Sequence, residues 1–357
     1  MPIRIQKRLL LTLLLVGGIC HQLTCPTAAR GQDETVYRLR ADGGTSKVSG
    51  KVTEITPFGV TVQSNSGPLE IPFAEIDKVV TVNEPLEVGR ARDRLETGRF
   101  DDVLAELQKI TDPNKAPAAR NEIEFLTAAA TAQISLRGGS VTAQDAGRAM
   151  VEYLKNNPTS YHFYPGTELL GKLLLAVGRP ELAEPEFAKL IESKSKAMIL
   201  RGYFSRGESL IEMGKFADAA NSFQAIQAME ANDDLTQSYK LLAKVRQAKA
   251  QALQGQFAEA IQAIQDVIKV ESPDNELLFA YAYNSLGTAQ QQAGNLKEAA
   301  TAFLHTELLY SSQSEPHAEA LYQLALIWPQ LEQTDRASRA RNTLKTRYRN
   351  SFWATKL

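Results

Sequence analysis

Six glycines recur at nearly even intervals over most of this 357-residue chain, and their spacing constrains the fold more than any other feature. Successive members lie 40, 40, 36, 41 and 39 residues apart: Gly98, Gly138, Gly178, Gly214, Gly255 and Gly294. A period of this size is typical of arrays of paired helices, in which each pair buries its apolar face only against its neighbours. The sequence therefore predicts a mainly α-helical solenoid of about seven helical pairs.

Small and bulky residues follow three of these glycines at fixed distances. An alanine stands five residues after the glycine and an apolar residue four further on: Ala219 with Phe223, Ala260 with Ile264, and Ala299 with Phe303. A glycine can adopt positive φ where the first helix ends, and an alanine lets the second helix approach closely. The pattern predicts two antiparallel helices joined by a tight turn at each glycine.

With these residues the chain resembles the tetratricopeptide repeat family. Two copies follow the family's order most fully: Tyr203, Gly207, Gly214, Phe216, Ala219, Phe223, and Tyr283, Leu286, Gly287, Gly294, Ala299, Phe303. The family's usual repeat is about 34 residues, whereas HEAT-like helical pairs have a period nearer to the one seen here and remain the structural alternative. A last unit, from Leu321 to Tyr348, has Glu332 where the glycine is expected.

The resemblance implies a binding surface. In such arrays the first helices line a concave face that accepts a peptide or a partner helix. Matching the family's inner-groove positions to the two fullest copies identifies six candidate partner-binding residues: Arg201, Phe204, Glu208, Tyr281, Asn284 and Thr288. The alternative is that these side chains are only solvated.

The amino terminus has the pattern of a secretory signal peptide. Arg4, Lys7 and Arg8 precede the apolar run Leu9 to Val16, and small residues follow up to Ala29. We expect residues 1–30 to be removed and the protein to be periplasmic or extracellular. One alternative is an uncleaved membrane anchor, although the apolar run from Leu9 to Cys20 is shorter than the roughly 20 residues that span a bilayer. The other alternative is lipidation of a cysteine.

A segment before the helical array alternates with the period of a strand. Residues 33–84 contain five predicted strands, beginning at Val36, Val48, Val60, Leu69 and Val79, with glycine-containing turns between them. Five short strands in about fifty residues favour a small closed barrel, and the segment resembles Sm-like or SH3-like barrels. We expect an interaction module here, followed by the helical array over residues 87–357.

The composition does not favour thiol catalysis, metal binding or nucleic-acid binding. Both cysteines, Cys20 and Cys25, lie in the leader, so the mature chain has no thiol nucleophile, and three histidines, His162, His305 and His317, follow the leader without a metal-binding motif. We therefore expect no catalytic residues, no metal and no cofactor. With a leader that ends at Ala29, 37 basic residues stand against 41 acidic ones, which does not favour nucleic acid as a partner.

Two further segments, an aromatic cluster and the carboxyl end, are candidates for contact with partners. Residues 161–164, Tyr-His-Phe-Tyr, are predicted to pack between repeats, with contact to a partner as the alternative. Residues 337–354 resemble the last unit of bacterial envelope tetratricopeptide proteins, and the basic residues around them favour a solvated helix face.

The hypothesis that unites these observations is a non-enzymatic adaptor of the cell envelope that binds other proteins. A self-assembling spacer, which would be a homo-oligomer, is one alternative. An enzyme whose site forms across repeats is another, and a cleft with clustered carboxylates would favour it.

Overall fold

The computed structural model describes residues 34–40, 43–110 and 117–357. The predicted signal peptide lies outside these residues, so its removal stays a prediction. Two parts follow one another along the described chain, a β-sheet and a helical array, and they share an apolar interface.

The sheet contains five antiparallel strands in the order β4-β3-β2-β1-β5. Their bounds are β1 Glu34–Leu39, β2 Thr45–Thr56, β3 Gly59–Ser64, β4 Gly67–Pro72 and β5 Ile76–Val80. The first part of β2 pairs with β1 and its second part pairs with β3, with a bulge between Val52 and Glu54. The five strands are confirmed.

The expected closure into a barrel is wrong, because β4 and β5 stay at opposite edges of an open sheet. The apolar face of the sheet is covered instead by the helical array. Val62 and Ile71 share a buried cluster with Tyr164 and Phe187, and the ring centroid of Phe73 lies 5.5 Å from that of Tyr164. Since the helices supply the cover, the strands need not close on themselves to bury this face.

Seven helical pairs follow, which confirms the predicted number. The pairs are α1 Leu86–Glu96 with α2 Phe100–Leu107, α3 Arg120–Leu136 with α4 Ala143–Asn156, α5 Phe163–Ala176 with α6 Pro180–Ile191, α7 Lys196–Glu212 with α8 Phe216–Gln227, α9 Asp234–Leu253 with α10 Phe257–Val270, α11 Glu276–Gln292 with α12 Leu296–Leu309, and α13 Ser314–Gln330 with α14 Thr334–Arg347. A short helix, α15 Phe352–Thr355, ends the described chain.

The periodic glycines occupy the turn between the two helices of a pair. All six have positive φ, from 72° at Gly98 to 94° at Gly255. Glu332 takes the equivalent place after α13 and has a φ of 59°, so the last pair adopts the same turn with a residue that does not favour it.

The residues at the predicted packing positions form the core between pairs. Ala219, Phe223, Ala260, Ala299 and Phe303 are all fully buried. Each first helix from α3 onward also contacts the next first helix. The first helices therefore form the inner layer of the solenoid, the layer that lines the concave face.

Among the described residues, no helix is both long enough and apolar enough to span a membrane.

Candidate functional site: the concave cavity

The concave face contains a cavity of about 600 Å³. Its walls come from the first helices α5, α7, α9, α11 and α13 and from the chain after α14. A volume of this size lies in the range of small-molecule and peptide side-chain pockets.

Four of the six predicted partner-binding residues line this cavity: Arg201, Phe204, Glu208 and Tyr281. Phe204 and Tyr281 meet edge to face with ring centroids 5.5 Å apart, and Phe204 meets Tyr239 in the same way at 5.9 Å. The three rings form one aromatic wall, in which all three supply apolar contact area and the two tyrosines add a polar hydroxyl group.

Asn284 and Thr288 lie behind the cavity and not on its surface. Asn284 is fully buried, and its amide donates hydrogen bonds to the carbonyl oxygen of Pro316 at 2.7 Å and to Glu319 at 3.1 Å. Thr288 is buried as well and donates to the carbonyl oxygen of Asn284. In this state these two side chains support the wall of the cavity, and a binding role for the six residues stays a prediction.

A buried network of charges lies beneath the aromatic wall. The guanidinium of Arg246 is fully buried and donates to Glu208 at 2.7 Å and to Glu319 at 3.2 Å, while Lys249 donates a second bond to Glu319. Burial alone would raise the pKa of Glu319, but the charges of Arg246 and Lys249 and the hydrogen bonds from Lys249 and Asn284 lower it to about 2. Glu319 is therefore ionised at neutral pH and holds α9 against α13.

A second charged group faces the cavity from α5 and α7. Glu168 accepts hydrogen bonds from Lys172 at 2.6 Å and from Arg201 at 3.1 Å. Burial opposes ionisation of Glu168, whereas its two cationic partners lower its pKa. Lys172 and Arg201 keep nearly half of their side-chain surface accessible, so they can also reach a ligand.

Glu315 is the third carboxyl group of the cavity, and within the described residues it forms no ion pair. It accepts a hydrogen bond from the indole nitrogen of Trp353 at 3.0 Å. The packing of protein around the group and the nearby carboxylates Glu319, Glu208 and Glu212 raise the pKa of Glu315 to about 7. The residue remains accessible to the water of the cavity, so its proton can exchange with solvent.

This arrangement bears on the enzyme alternative, because clustered carboxylates were the feature that would favour it. Glu168 and Glu208 are already neutralised by Lys172, Arg201 and Arg246. A pair of carboxyl groups for general acid and base catalysis needs two groups free to exchange protons with a substrate. Only Glu315 among these three has that freedom.

The sequence analysis missed a second buried network, which joins the sheet to the helices. Arg92 donates to Glu84 at 2.7 Å, to Glu122 at 2.6 Å and to the carbonyl oxygen of Val79. Glu122 also accepts a bond from Tyr161 at 2.8 Å and lies 2.8 Å from a ring nitrogen of His162. The 161–164 segment, at the start of α5, therefore packs against α3 and the sheet, with Tyr161 and Tyr164 buried.

Within the described residues, no three or more histidine, cysteine or acidic side chains come together in a way that could hold a metal ion.

The periodic signals in the sequence could not reveal either charged network, because the members of each network lie far apart along the chain and on different helices.

Comparison with known proteins agrees with the geometry. A family model described as tetratricopeptide repeat matches residues 168–234, 204–276 and 245–306. Residues 168–306 are therefore similar to tetratricopeptide repeats, which favours these repeats over the HEAT-like alternative in that part of the chain.

Two solved structures share the fold. The first is a tetratricopeptide repeat protein from Parabacteroides merdae, with a TM-score of 0.52 and 16% identity over 73% of this chain and 91% of that one. The second is NprR in complex with its cognate peptide NprX, with a TM-score of 0.51 and 13% identity over 77% of this chain and 83% of that one. No curated protein matches the sequence significantly.

Proposed function

We propose that this protein is a non-enzymatic scaffold of the cell envelope that binds a peptide, or an extended segment of another protein, on its concave face. The observation that carries the proposal is the cavity itself, which combines an aromatic wall with two partly accessible cations, Lys172 and Arg201. Aromatic and arginine side chains concentrate binding energy at protein interfaces.

The chemistry of these side chains suits a peptide. Lys172 and Arg201 can donate hydrogen bonds to main-chain carbonyl oxygens or to a terminal carboxylate, and the rings of Tyr239 and Tyr281 can cover side chains of the ligand. NprR, which has the same fold, was solved with its peptide bound. The similarity to NprR supports peptide binding by this fold, and experiment has to identify the ligand.

Site-specific photocrosslinking tests the proposal. A photoreactive amino acid replaces Ser205, which lines the cavity, and in a second protein it replaces Asp218, which is exposed on α8. We expect adducts with other proteins or peptides from position 205 and not from position 218, and we expect Arg201→Ala with Lys172→Ala to weaken those adducts. Adducts that are absent, or equal at both positions, would overturn the proposal.

The envelope location has its own test. When the full chain is expressed in a bacterium, the proposal expects the mature protein in the periplasmic fraction or the medium, beginning between residues 29 and 32. Retention of Met1 in a cytoplasmic protein would contradict the location and leave the binding role to be judged by the crosslinking result.

A further inference from the structure

The last ten residues of the chain, 348–357, cross the concave face and join distant repeats; we call them the C-terminal segment. The side-chain amide of Asn350 donates to the carbonyl oxygens of Ser135, at the end of α3, and Val141, in the turn before α4, both at 3.0 Å. These partners lie more than 200 residues earlier in the chain. The segment therefore connects the seventh helical pair to the second.

Three further contacts join the segment to α7 in the middle of the array and to α13 in the last pair. The ammonium group of Lys356 lies 2.7 Å from a carboxylate oxygen of Glu212 at the end of α7. The buried indole ring of Trp353 donates to Glu315 on α13 and lies against Tyr322, with ring centroids 5.4 Å apart. An ordered fold of the segment thus depends on an acidic and aromatic seat formed by Glu212, Glu315 and Tyr322.

The segment also lines the cavity. Tyr348, Asn350, Ser351 and Phe352 form part of the cavity wall that faces Arg201 and Tyr281. A ligand that extends along the concave face has to share this space with the segment or displace it.

The charges of the segment and its seat are complementary. Residues 348–357 contain two basic residues, Arg349 and Lys356, and no acidic one. Lys356 also lies 5.2 Å from the ring centroid of Trp353 and 5.6 Å from that of Tyr322, distances at which a cation is attracted by an aromatic face. The seat therefore recognises an aromatic ring and a cation three residues apart.

We propose that the seat formed by Glu212, Glu315 and Tyr322 is a binding subsite for basic, aromatic peptides, and that the C-terminal segment occupies it in cis until such a peptide displaces the segment. This inference rests on the proposed peptide-binding function and names the chemistry of the ligand. A tethered segment competes at an effective concentration on the order of millimolar, so release of the segment strengthens binding of a free peptide.

The test uses the full chain and a fluorescent peptide with the sequence of residues 348–357 as the probe. Three proteins are compared by fluorescence polarisation: the parent, a Trp353→Ala, Lys356→Ala variant, and a control, Lys345→Ala, which removes an exposed cation of α14 outside the seat. We expect the double variant to bind the probe at least tenfold more tightly than the parent and the control do. Adding Glu212→Gln and Glu315→Gln to the double variant should reverse this gain.

A second variant keeps the test decisive if loss of the Trp353 ring disturbs folding. Lys356→Glu leaves the ring in place and sets two carboxylates against each other at Glu212, so it also releases the segment. Circular dichroism establishes that the variant is folded. If the folded variant binds the probe no better than the parent does, the segment is not a displaceable occupant and the inference is overturned.

The outcomes separate this inference from the function on which it rests. If position 205 captures partners while the probe binds weakly to every variant, the scaffold function stands and the proposed ligand chemistry is wrong. If neither experiment detects binding, both are wrong. If Glu212→Gln and Glu315→Gln leave the affinity for the probe unchanged, the peptide binds elsewhere and the inference is also overturned.

Discussion

The ring of Phe223 lies so close to Gly207 that a methyl group on this glycine would come within 2.6 Å of the ring. The same relationship joins Gly171 to Phe187 and Gly287 to Phe303. In each case the glycine is on the first helix of a pair and the phenylalanine is on the second. The absence of a side chain on one helix is what lets the ring of the other fill the interior.

Gly207→Ala should therefore destabilise the protein even though alanine favours helix more than glycine does. Overpacking of a core costs about 1–3 kcal/mol, which exceeds the roughly 1 kcal/mol that alanine contributes to helix propensity. The matched control is Gly147→Ala on α4, where a methyl group meets nothing within 4 Å and should stabilise. Urea denaturation followed by circular dichroism measures both changes, and a stable Gly207→Ala protein would show that Phe223 can move aside.

Glu332→Gly should stabilise the last helical pair. Glu332 has a φ of 59° at the turn after α13, and a residue with a side chain pays about 1–2 kcal/mol for that conformation. Because glycine loses more freedom on folding, we expect a net gain of about 0.5–1 kcal/mol. The reciprocal substitution, Gly255→Ala at a φ of 94°, should lower the melting temperature. Calorimetry measures the melting temperature of both variants. The prediction requires a rise for Glu332→Gly and a fall for Gly255→Ala.

The helical array could be predicted from sequence because its signals are local. The turn glycines and the alanine five residues later are set by geometry within one pair, so their spacing predicts the turn and the close approach. The strands could be predicted for the same reason. The openness of the sheet could not be predicted in this way. It depends on Tyr164 and Phe187, which cover the apolar face of the sheet and lie about a hundred residues further along the chain.

The candidate site was predicted in part. Repeat positions identified Arg201, Phe204, Glu208 and Tyr281 as inner residues, and these four do meet at one cavity. The carboxyl group of Glu315 and the C-terminal segment had no such signal, since the contact between Asn350 and Ser135 is specified by the superhelical path of the whole array. A periodic pattern predicts contacts between neighbouring repeats and does not predict how the second and seventh pairs meet.

Arg246→Leu should destabilise the protein strongly. Arg246 is fully buried between Glu208 and Glu319, so its removal leaves buried carboxylates with less compensation. Breaking a buried ion pair by removing one partner costs about 3–5 kcal/mol. The control is Arg148→Leu, whose exposed pair with Asp145 contributes at most about 1 kcal/mol. If denaturation shows less than about 1 kcal/mol for Arg246→Leu, Lys249 alone is sufficient to neutralise Glu319.

Stability in acid should depend on Glu122. Burial would raise the pKa of this carboxyl, but His162 and Arg92 lower it to about 2, below the ordinary value of 4.5. A lowered pKa contributes stability above pH 4.5 that is lost as the pH falls towards 2, and the shift corresponds to about 3 kcal/mol.

Glu122→Gln should therefore be destabilised at pH 7 and should approach the parent near pH 2. The control, Glu152→Gln, changes an exposed carboxyl of α4 and should follow the parent throughout. Denaturation curves at a series of pH values compare the three proteins. A constant difference between Glu122→Gln and the parent at every pH would mean that the carboxyl contributes through its shape and not through its charge.

Glu315 should produce the opposite dependence on pH. Its pKa is raised to about 7, so the neutral carboxyl is favoured in the folded state. The stability that follows from this preference is fully present below pH 4.5 and is lost as the pH rises through 7. Glu315→Gln keeps an acceptor for Trp353 without an ionisable group, so it should melt above the parent at pH 8 and close to it at pH 4.5.

Glu259→Gln, an exposed substitution on α10, is the matched control and should leave the profile unchanged. Because Glu315 is also the acceptor for Trp353, the same titration tests how charge acts on the C-terminal segment. If the parent and Glu315→Gln lose stability in parallel between pH 5 and 8, Glu315 is ionised throughout. The seat then carries one more negative charge across that pH range, and Lys356 meets a correspondingly stronger attraction from the carboxylates around it.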